Sequence, residues 1–481
     1  MRILFVYPGS ISRNEQPLGI MYISAVLKQH GHETSLFRLV PGDDVRFDLK
    51  VGEIKVKLEN KIVSFQPDLI GFSVISTVFR RSLILAEFIK QKSEAKIIFG
   101  GAHPTVDPDN TIGKGPIDMV CVGEGEYAML ELVTNMEHGG DIRNIKNICV
   151  KEDGTIWRND VRPLFKDLDC LPHPDRDLLH NDYLNGEIKR ASFITSRGCP
   201  YQCAYCHNPF LQELYRGKGP FVRYRSIEDV INEIKEVIYN YGILGVTFSD
   251  DTFSLKRQRI IDFCAAYEKE IGLPFLCQTR ANHLDEAVLS ALKKAGCEEV
   301  HIGIESGNDY LRNQVLHRNM DRKDIISAFT LAKKIGVKTA SFNLIGGPFE
   351  TEETIWETID INREVKPNLT VHTIPMPFEK SSLRQLCIEN GWPIKPIEDW
   401  GSYYTTSVFE QPSISSKKLI AYQHLFDLYV YAPKFYFPFL HVLRFLWQFV
   451  PEGRKLQHRL FRSLLYQMTQ FMRKLCLKSG V

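Results

Sequence analysis

Residues 192–206 read SFITSRGCPYQCAYC, an apolar strand pattern that leads directly into a loop with three cysteines. Cys199, Cys203 and Cys206 have the spacing Cys-x-x-x-Cys-x-x-Cys, with no fourth cysteine nearby. Thiolates bind both iron–sulfur clusters and zinc. Structural zinc needs four protein ligands, so zinc fits this loop only if His207 joins it. Three cysteines instead suit a 4Fe–4S cluster with one open iron, and the alternatives are a structural metal loop or cysteines without metal.

Six short apolar segments from residue 191 onward alternate with helical patterns. The predicted strands are Ser192–Thr195, Gly245–Ser249, Phe275–Gln278, Val300–Gly303, Ala340–Ile345 and Thr370–Ile374. The helical pattern that ends at Tyr241 opens at Ser226, a residue type that often caps a helix N-terminus. Six such repeats fit a partial (β/α)6 barrel of the TIM type, whose active site would lie at the C-terminal ends of the strands.

An earlier series of strands and helices covers the N-terminal part of the chain. The predicted strands are Ile3–Tyr7, Thr34–Arg38, Leu69–Val74, Lys96–Phe99 and Met119–Val122. Helical patterns such as Leu18–His30 and Arg80–Lys92 lie between them, so we expect a doubly wound, Rossmann-like (flavodoxin-like) sheet. Ligands of such sheets bind beyond the carboxyl ends of the strands, where this sequence has small and polar residues.

These patterns predict an α/β chain with four parts. A Rossmann-like domain over residues 1–140 is followed by a connector over 141–190 and the partial barrel over 191–400. The remaining residues, 401–481, are predicted to be helical and basic. Within the connector, the pattern over Ile148–Trp157 predicts a hairpin with an Asp-Gly turn.

The composition of the chain argues against several classes of protein. The chain has 481 residues, with 60 Lys and Arg and 58 Asp and Glu. Because these charges nearly balance, the charge of the whole chain does not predict nucleic-acid binding. Eleven cysteines, an odd number without a secretory signal, argue against a disulfide framework and predict a cytoplasmic location. The N-terminal apolar run is too short for a signal peptide, and no segment is long enough to be a transmembrane helix.

The C-terminal region is basic: from Lys417 onward it contains 11 Lys and Arg but only two acidic residues. A helix is predicted around Leu456–Leu475. Its apolar face carries Leu460, Leu464, Met468, Phe471 and Leu475, and basic residues elsewhere on it are Arg459, Arg462, Arg473 and Lys474. Such a helix either packs across the barrel mouth or makes weak contact with an anionic membrane surface or a lipid-like or phosphorylated substrate.

The cysteine spacing, with Tyr205 before the last cysteine, closely resembles the radical S-adenosylmethionine (SAM) superfamily over about residues 192–377. The resemblance implies that Cys199, Cys203 and Cys206 hold a 4Fe–4S cluster whose open iron binds SAM. One electron then cleaves a C–S bond of SAM and yields a 5′-deoxyadenosyl radical. An electron donor such as a flavodoxin or ferredoxin is therefore implied.

The same resemblance implies further contacts with SAM at the strand ends. Asp250 and Asp251 end the second strand, where the family contacts the methionine amine, although a helix-capping carboxylate is the alternative. The other expected contacts, to the ribose, carboxylate and adenine of SAM, are Arg280, Glu305, Gly346 and Gly347. The sequence assigns no acid or base to the substrate.

In front of such a barrel, the Rossmann-like domain resembles the cobalamin-binding domain of many of these enzymes. The residues expected to contact cobalamin are Ser73, Ser76, Thr77, Gly100, Gly101, His103 and Glu124. The Asp-x-His-x-x-Gly signature that supplies a histidine to cobalt is missing, because His30 and His32 come too late. The resemblance therefore implies base-off cobalamin without histidine ligation. The alternatives are a degenerate domain that only shapes the substrate site and, for His103, a hydrogen-bonded loop histidine.

This domain order resembles the cobalamin-dependent (class B) radical SAM methyltransferases. It implies transfer of a methyl group from SAM, through methylcobalamin, to an unactivated carbon of a small-molecule substrate. The alternative is cyclisation or rearrangement without methyl transfer, as in anaerobic porphyrin-ester cyclases of the same domain order. A methylthiotransferase is disfavoured because the N-terminal domain lacks three cysteines placed as ligands. A non-catalytic iron–sulfur or cobalamin carrier would not need a SAM pocket.

Overall fold

The computed structural model describes residues 1–9, 16–39, 47–396, 407–447, 465 and 467–476. These residues form two compact units. The first unit contains residues 1–200 and 207–250, and the second contains residues 201–206, 251–396 and the described residues from 407 onward.

The first unit is built on a seven-stranded sheet in the order β2-β1-β3-β4-β5-β6-β7. Its strands are β1 (Arg2–Tyr7), β2 (Glu33–Arg38), β3 (Leu69–Ser73), β4 (Lys96–Gly100), β5 (Met119–Cys121), β6 (Ile148–Glu152) and β7 (Thr155–Trp157). The first five strands pair in parallel. Side chains such as Leu4 and Ile97 are fully buried, because helices cover both faces of a parallel sheet of this kind.

The predicted hairpin belongs to this sheet. β6 pairs antiparallel with β5, and β7 pairs antiparallel with β6, so the hairpin extends the edge of the Rossmann-like sheet. The sequence placed it in the connector because a strand pattern does not show which sheet edge the strand will join. The five parallel strands predicted before it are all confirmed.

Nine α-helices are described in the first unit, namely α1 (Leu18–Gln29), α2 (Phe47–Phe65), α3 (Phe79–Lys90), α4 (Ala102–Val106), α5 (Pro108–Ile112), α6 (Glu126–Glu137), α7 (His180–Leu184), α8 (Asn208–Leu214) and α9 (Ile227–Tyr241). Ser226 caps α9 as predicted, since its side chain accepts a hydrogen bond from the backbone N–H of Asp229. The helix ends at Gly242, whose φ of 60° suits glycine.

The first unit also contains the strands around the cysteine loop. β8 (Arg190–Phe193) pairs in parallel with β11 (Gly245–Phe248). A short antiparallel pair is formed by β9 (Ser196–Arg197) and β10 (Arg223–Tyr224). β8 and β11 are the first two strands predicted for the partial barrel.

The second unit contains the other four predicted barrel strands, β12 (Phe275–Thr279), β13 (Cys297–Glu305), β14 (Lys338–Leu344) and β15 (Leu369–Thr373). They pair in parallel in this order. The helices of this unit are α10 (Arg257–Glu270), α11 (Glu286–Lys294), α12 (Arg322–Ile335), α13 (Glu352–Val365), α14 (Ser382–Glu389), α15 (Ser416–Tyr431) and α16 (Phe437–Trp447), and residues 467–476 are also helical. All six predicted strands are therefore present.

The C-terminal region is helical as predicted. α15 packs against α13 in an apolar core that includes Tyr422, Phe426 and Ile359. The predicted helix around Leu456–Leu475 is described only in part, since Leu460, Leu464, Arg459 and Arg462 lie outside the described residues. Within the part of the chain that the structure covers, no helix is both long and apolar enough to cross a membrane.

Candidate functional site

Two buried polar side chains lie at the strand ends of the first sheet. Thr77 follows β3, and His103 follows β4; their exposed fractions are 1% and 8%. Ser76 Oγ lies 3.1 Å from His103 Nδ1, and the ring of Phe79 lies against the imidazole, with 4.1 Å between centroids. Thr77 Oγ1 and His103 Nε2 are buried and have no hydrogen-bond partner among the described residues. Because buried polar atoms are nearly always paired, these two are candidates to contact a bound molecule.

The charge state of His103 fits such a contact. Burial lowers the pKa of His103 to about 4, so the ring is neutral at pH 7. A neutral imidazole has one donor and one acceptor nitrogen, and Nδ1 already faces the Ser76 hydroxyl. Nε2 can therefore make one hydrogen bond, as donor or as acceptor, to a bound molecule. His103 lies in the short helix α4 and not in a loop; its Nδ1 is hydrogen bonded, and its Nε2 has no partner among the described residues.

Gly101 has a packing role. Its φ is 101°, and a Cβ there would lie 2.8 Å from Val74 O and 2.9 Å from Val74 N. The loops after β3 and β4 are joined at this place, since Val74 N donates to Gly100 O (2.7 Å) and His103 N donates to Val74 O (3.0 Å). The close neighbour that requires glycine is thus the Val74 backbone. Contacts of Ser73, Gly100 and Gly101 with a cofactor stay predictions.

Glu124 is held by two arginines. Arg223 donates two hydrogen bonds to its carboxylate, at 2.6 and 3.0 Å, and Arg197 lies 3.4 Å away. Burial would raise the pKa of Glu124, but the hydrogen bond from Arg223 and the charge of Arg197 keep it below its usual value. Arg197 also pairs with Glu126 at 2.7 Å. Because Arg197 precedes Cys199 by two residues, Glu124 and Glu126 anchor the start of the cysteine loop.

Asp250 is a second anchor of this segment. Its carboxylate is 1% exposed and accepts hydrogen bonds from Thr195 N (3.0 Å), Thr195 Oγ1 (2.8 Å) and Ser196 Oγ (2.5 Å). These bonds join the end of β11 to the residues that follow β8. Asp250 therefore binds the residues just before the cysteines, and the N-cap residue of the next helix, α10, is Lys256. Asp251 has an exposed side chain, and its predicted contact with the SAM amine stays a prediction.

Two buried arginines flank Cys203. Arg318 Nη1 lies 3.5 Å from Cys203 Sγ, and Arg280 Nη1 lies 3.8 Å from it. Arg280 also stacks on Tyr201, with its guanidinium carbon 3.7 Å from the ring centroid. Arg280, predicted to contact SAM, thus contacts a predicted cluster ligand.

Glu305 belongs to the same cluster of side chains. It ends β13 with a φ of 65°, which is uncommon for a residue other than glycine and is frequent at functional sites. Its Oε1 lies 3.7 Å from Arg318 Nη2, and Tyr205 hydrogen bonds to its carboxylate. Burial raises the pKa of both Glu305 and Tyr205. Arg318 and Tyr205 therefore hold the Glu305 carboxyl group in place.

Sequence reasoning missed a buried carboxyl group after β14. Glu350 Oε2 accepts hydrogen bonds from the backbone N–H groups of Gly346 and, at 2.9 Å, Gly347. Burial raises the pKa of Glu350 to about 8, and its Oε1 has no partner in the described part of the chain. A Cβ on Gly346 would overlap Leu419 of α15. The two amides predicted near adenine are therefore bonded to Glu350, and Gly346 makes room for a leucine.

Arg318, Arg223 and Glu350 were not predicted, and each has a physical reason. Arg318 lies in a loop between β13 and α12, away from the strand ends that the fold class selects. Arg223 lies on the short strand β10, and its partner is Glu124, 99 residues earlier in the chain. Glu350 directly precedes the helix cap Thr351, where an acidic residue is ordinary. No local sequence pattern marks these three residues.

The donor chemistry of the cysteine loop fits an iron–sulfur cluster. All eleven cysteines lie in the described part of the chain and none forms a disulfide there; Cys199 and Cys203 are buried. Among the residues that the structure describes, no group of three or more His, Cys, Asp or Glu side chains is arranged to hold a metal ion. Ligation by Cys199, Cys203 and Cys206 therefore stays a prediction.

Two protein families match this chain. The Radical SAM superfamily matches residues 193–361, and the B12 binding domain matches residues 7–133. The first match begins at the end of β8 and includes the three cysteines. The second covers the sheet that carries Thr77 and His103.

Several known proteins are similar to this chain over most of its length. A protein of Pyrococcus horikoshii, described as an uncharacterized methyltransferase, is 30% identical over 416 residues, which cover 84% of this chain and 86% of the relative. An anaerobic magnesium-protoporphyrin IX monomethyl ester cyclase of Rubrivivax gelatinosus is 25% identical over 80% of this chain and 70% of its own length. The solved structure of the radical SAM methyltransferase TsrM from Kitasatospora setae, with cobalamin and a [4Fe-4S] cluster bound, has a TM-score of 0.66 at 18% identity. That match covers 82% of this chain and 79% of TsrM and shows that the fold is shared.

Proposed function

This chain is an enzyme of the radical SAM superfamily with an N-terminal B12-binding domain, and we propose that it is a cobalamin-dependent methyltransferase. It would move a methyl group from SAM, with cobalamin as carrier, to an unactivated carbon of a small molecule. The observation that carries the proposal is the 30% identity, over 84% of the chain, to a protein described as an uncharacterized methyltransferase, because this similarity spans both domains. A flavodoxin or ferredoxin as electron donor and a cytoplasmic location stay predictions.

The residues divide into those that would hold the cofactors and those that position them. Bound cluster, SAM and cobalamin would supply the electron, the radical and the methyl carrier. Cys199, Cys203 and Cys206 would hold the cluster. Thr77 Oγ1 and His103 Nε2 would hydrogen bond to cobalamin, since both atoms are buried without a partner among the described residues.

A second group of residues keeps the cysteine loop in place. Glu124 and Glu126 hold Arg197 at its start, and Asp250 binds the residues just before it. In the second unit, Arg280 and Arg318 contact the Cys203 sulfur. The cysteines need such support, because loosely held side chains bind metal weakly.

The alternative is a radical cyclisation or rearrangement without methyl transfer. It is supported by the relative from Rubrivivax gelatinosus, which is a cyclase with 25% identity over 80% of this chain. The two reactions differ in one product: methyl transfer converts SAM to S-adenosylhomocysteine, and cyclisation does not.

Anaerobic reconstitution with iron, sulfide and hydroxocobalamin tests the proposal. The loaded protein is reduced in the presence of SAM, and 5′-deoxyadenosine and S-adenosylhomocysteine are quantified by mass spectrometry. We expect both products. The Cys199→Ala variant should yield neither, whereas Cys170→Ala, which removes an exposed cysteine outside the loop, should behave like the parent.

Two results would contradict the proposal. Formation of 5′-deoxyadenosine without S-adenosylhomocysteine, in protein that retains cobalamin after desalting, would favour the alternative reaction. Equal product formation by the parent and Cys199→Ala would remove the assigned role of the cysteine loop.

A further inference from the structure

Two guanidinium groups donate hydrogen bonds to one sulfur atom in the second unit. Arg318 Nη1 lies 3.5 Å and Arg280 Nη1 lies 3.8 Å from Cys203 Sγ, and both distances suit sulfur, which is a large acceptor atom. Cys203, Arg280 and Arg318 are 6%, 3% and 7% exposed. Because water has little access to these groups, their charges act on each other more strongly than charges at the surface do.

Arg280 is held beside the sulfur by uncharged groups. Its guanidinium carbon lies 3.7 Å from the centre of the Tyr201 ring, and its Nε donates to Asn282 Oδ1 at 3.3 Å. Its Nη2 donates to the backbone oxygen of Arg318. Arg280 forms no ion pair with an Asp or Glu among the residues that the structure describes. Its positive charge is therefore not neutralised by a carboxylate of the described chain.

Arg318 is held in a different way. Its Nη2 donates to the backbone oxygen of Gly303 at 3.1 Å and lies 3.7 Å from Glu305 Oε1. Its Nε is buried and has no hydrogen-bond partner within the described ranges. Because buried donors are nearly always paired, this N–H fits a bound group with acceptor atoms, and the sulfur atoms of an iron–sulfur cluster are acceptors of this kind.

Reduction of a cluster changes the charge at such a place. When a 4Fe–4S cluster takes up one electron from a donor, the cluster together with its cysteine ligands gains one negative charge. Positive charges and N–H donors at a ligand sulfur stabilise this reduced form more than the oxidised form. The reduction potential of iron–sulfur clusters accordingly depends on the hydrogen bonds to their sulfur atoms and on the charges around them.

We propose that Arg280 and Arg318 raise the reduction potential of a 4Fe–4S cluster bound through Cys203. The cluster would then accept an electron more readily from a one-electron donor such as the predicted flavodoxin or ferredoxin. This role rests on the cluster ligation in the proposed function and not on methyl transfer, so it applies equally to the alternative reaction.

A redox titration of the full-length protein tests this role. The protein is loaded with iron and sulfide, without SAM or cobalamin, and is titrated with dithionite in the presence of redox mediators. Electron paramagnetic resonance measures the reduced cluster at each potential. In Arg280→Gln, the ratio of reduced to oxidised cluster at the parent's midpoint should fall about tenfold, which corresponds to a midpoint about 59 mV lower for one electron.

Two further variants complete the titration. Arg318→Gln should lower the midpoint at least as much, because Arg318 lies nearer to the sulfur and its loss also leaves the Glu305 carboxylate without its cation. Arg322→Gln is the matched control, since it also removes one positive charge from the second unit. Arg322 is 37% exposed and pairs with Glu364 at 2.6 Å, so the control should keep the parent's midpoint.

Electron–nuclear double resonance of the reduced parent adds a measurement that needs no variant. Guanidinium N–H groups exchange their protons with water. We therefore expect protons that couple to the reduced cluster and whose signals are lost after exchange into deuterated water.

Different results would contradict this role and the ligation on which it rests. Midpoints equal to the parent's in Arg280→Gln and Arg318→Gln, at the parent's iron content, would overturn the role of the arginines alone. An equal shift in Arg322→Gln, or no exchangeable protons coupled to the parent's cluster, would do the same. A parent protein that binds no cluster would overturn the ligation by the cysteine loop together with the role of the arginines.

Discussion

The strand ends of the first sheet and the side chains around Cys203 differ in what their buried polar atoms contact. After β3 and β4, Thr77 Oγ1 and His103 Nε2 are buried with no hydrogen-bond partner in the described residues. Around Cys203, Arg280 and Arg318 point their guanidinium groups at the sulfur atom. The first region leaves two buried polar atoms without a partner among the described residues, whereas the second places two positive charges beside one sulfur atom.

A polar residue at the end of a strand can contact a ligand, or it can bind other residues of the protein. Its position at the strand end does not distinguish these two roles. Ligands of α/β folds bind beyond the carboxyl ends of strands, so every polar residue there is a candidate for contact. Glu124 and Asp250 lie at such ends, and yet their carboxylates are bonded to the protein itself. Changes at these residues should therefore affect folding, and changes at unpartnered atoms should affect binding.

Removing a predicted cluster ligand should have the largest effect. The Cys203→Ala variant should lose the visible absorbance of the reconstituted cluster and all 5′-deoxyadenosine formation, because two thiolates hold a cubane poorly. It should keep bound cobalamin, since Thr77 and His103 are unchanged. Loss of cobalamin together with the cluster would show that the two sites are not independent.

The Glu350→Gln variant should change how stability depends on pH. The folded protein keeps the proton of Glu350 up to about pH 8, whereas the unfolded chain releases it near the usual pKa of 4.5. Unfolding therefore releases a proton between these values, and the parent loses up to about 1.4 kcal/mol of stability per pH unit as pH rises through this window. Glutamine cannot ionise, so the variant should gain stability relative to the parent from pH 5 to pH 8 in urea titrations. If the difference in unfolding free energy between the variant and the parent did not change with pH, this would contradict the burial of the Glu350 carboxyl group.

The Glu124→Gln variant should unfold more easily by about 3 kcal/mol, because it leaves the buried Arg223 without its charged partner. Glu131→Gln is the matched control, since Glu131 pairs with Arg162 at 2.7 Å but is 49% exposed, and its loss should cost less than about 1 kcal/mol. Denaturant titration measures both values. If Glu124→Gln bound cobalamin more weakly at unchanged stability, this would indicate that Glu124 contacts the cofactor.

The His103→Phe variant should have the smallest effect on folding and a selective effect on binding. It removes a buried nitrogen that lacks a partner among the residues described, but also the hydrogen bond between Nδ1 and Ser76 Oγ, so the stability of the protein without cofactor should stay within about 1.5 kcal/mol of the parent's. Cobalamin affinity, measured by equilibrium dialysis, should fall about tenfold, which corresponds to one lost hydrogen bond. Unchanged affinity would show that His103 Nε2 does not contact the cofactor.

Most of the fold could be predicted from the sequence, because buried strands such as β1 and β14 are short apolar runs bounded by turn residues. The cysteine loop could be found because its spacing is local. The partners of the site residues could not: Arg318 contacts a cysteine 115 residues away, and Arg223 contacts a glutamate 99 residues away. Such pairs depend on how segments that are distant in sequence pack together. Neither the periodicity nor the composition of the sequence predicts this packing.

The most direct test of the central claim is the amount of S-adenosylhomocysteine formed with and without cobalamin. The protein is loaded with iron and sulfide in both samples, reduced with SAM present, and analysed by mass spectrometry. Our account predicts 5′-deoxyadenosine in both samples and S-adenosylhomocysteine only in the sample with cobalamin. The same amount of S-adenosylhomocysteine in both samples, or none in either while 5′-deoxyadenosine is formed, would contradict a cobalamin-dependent methyltransferase.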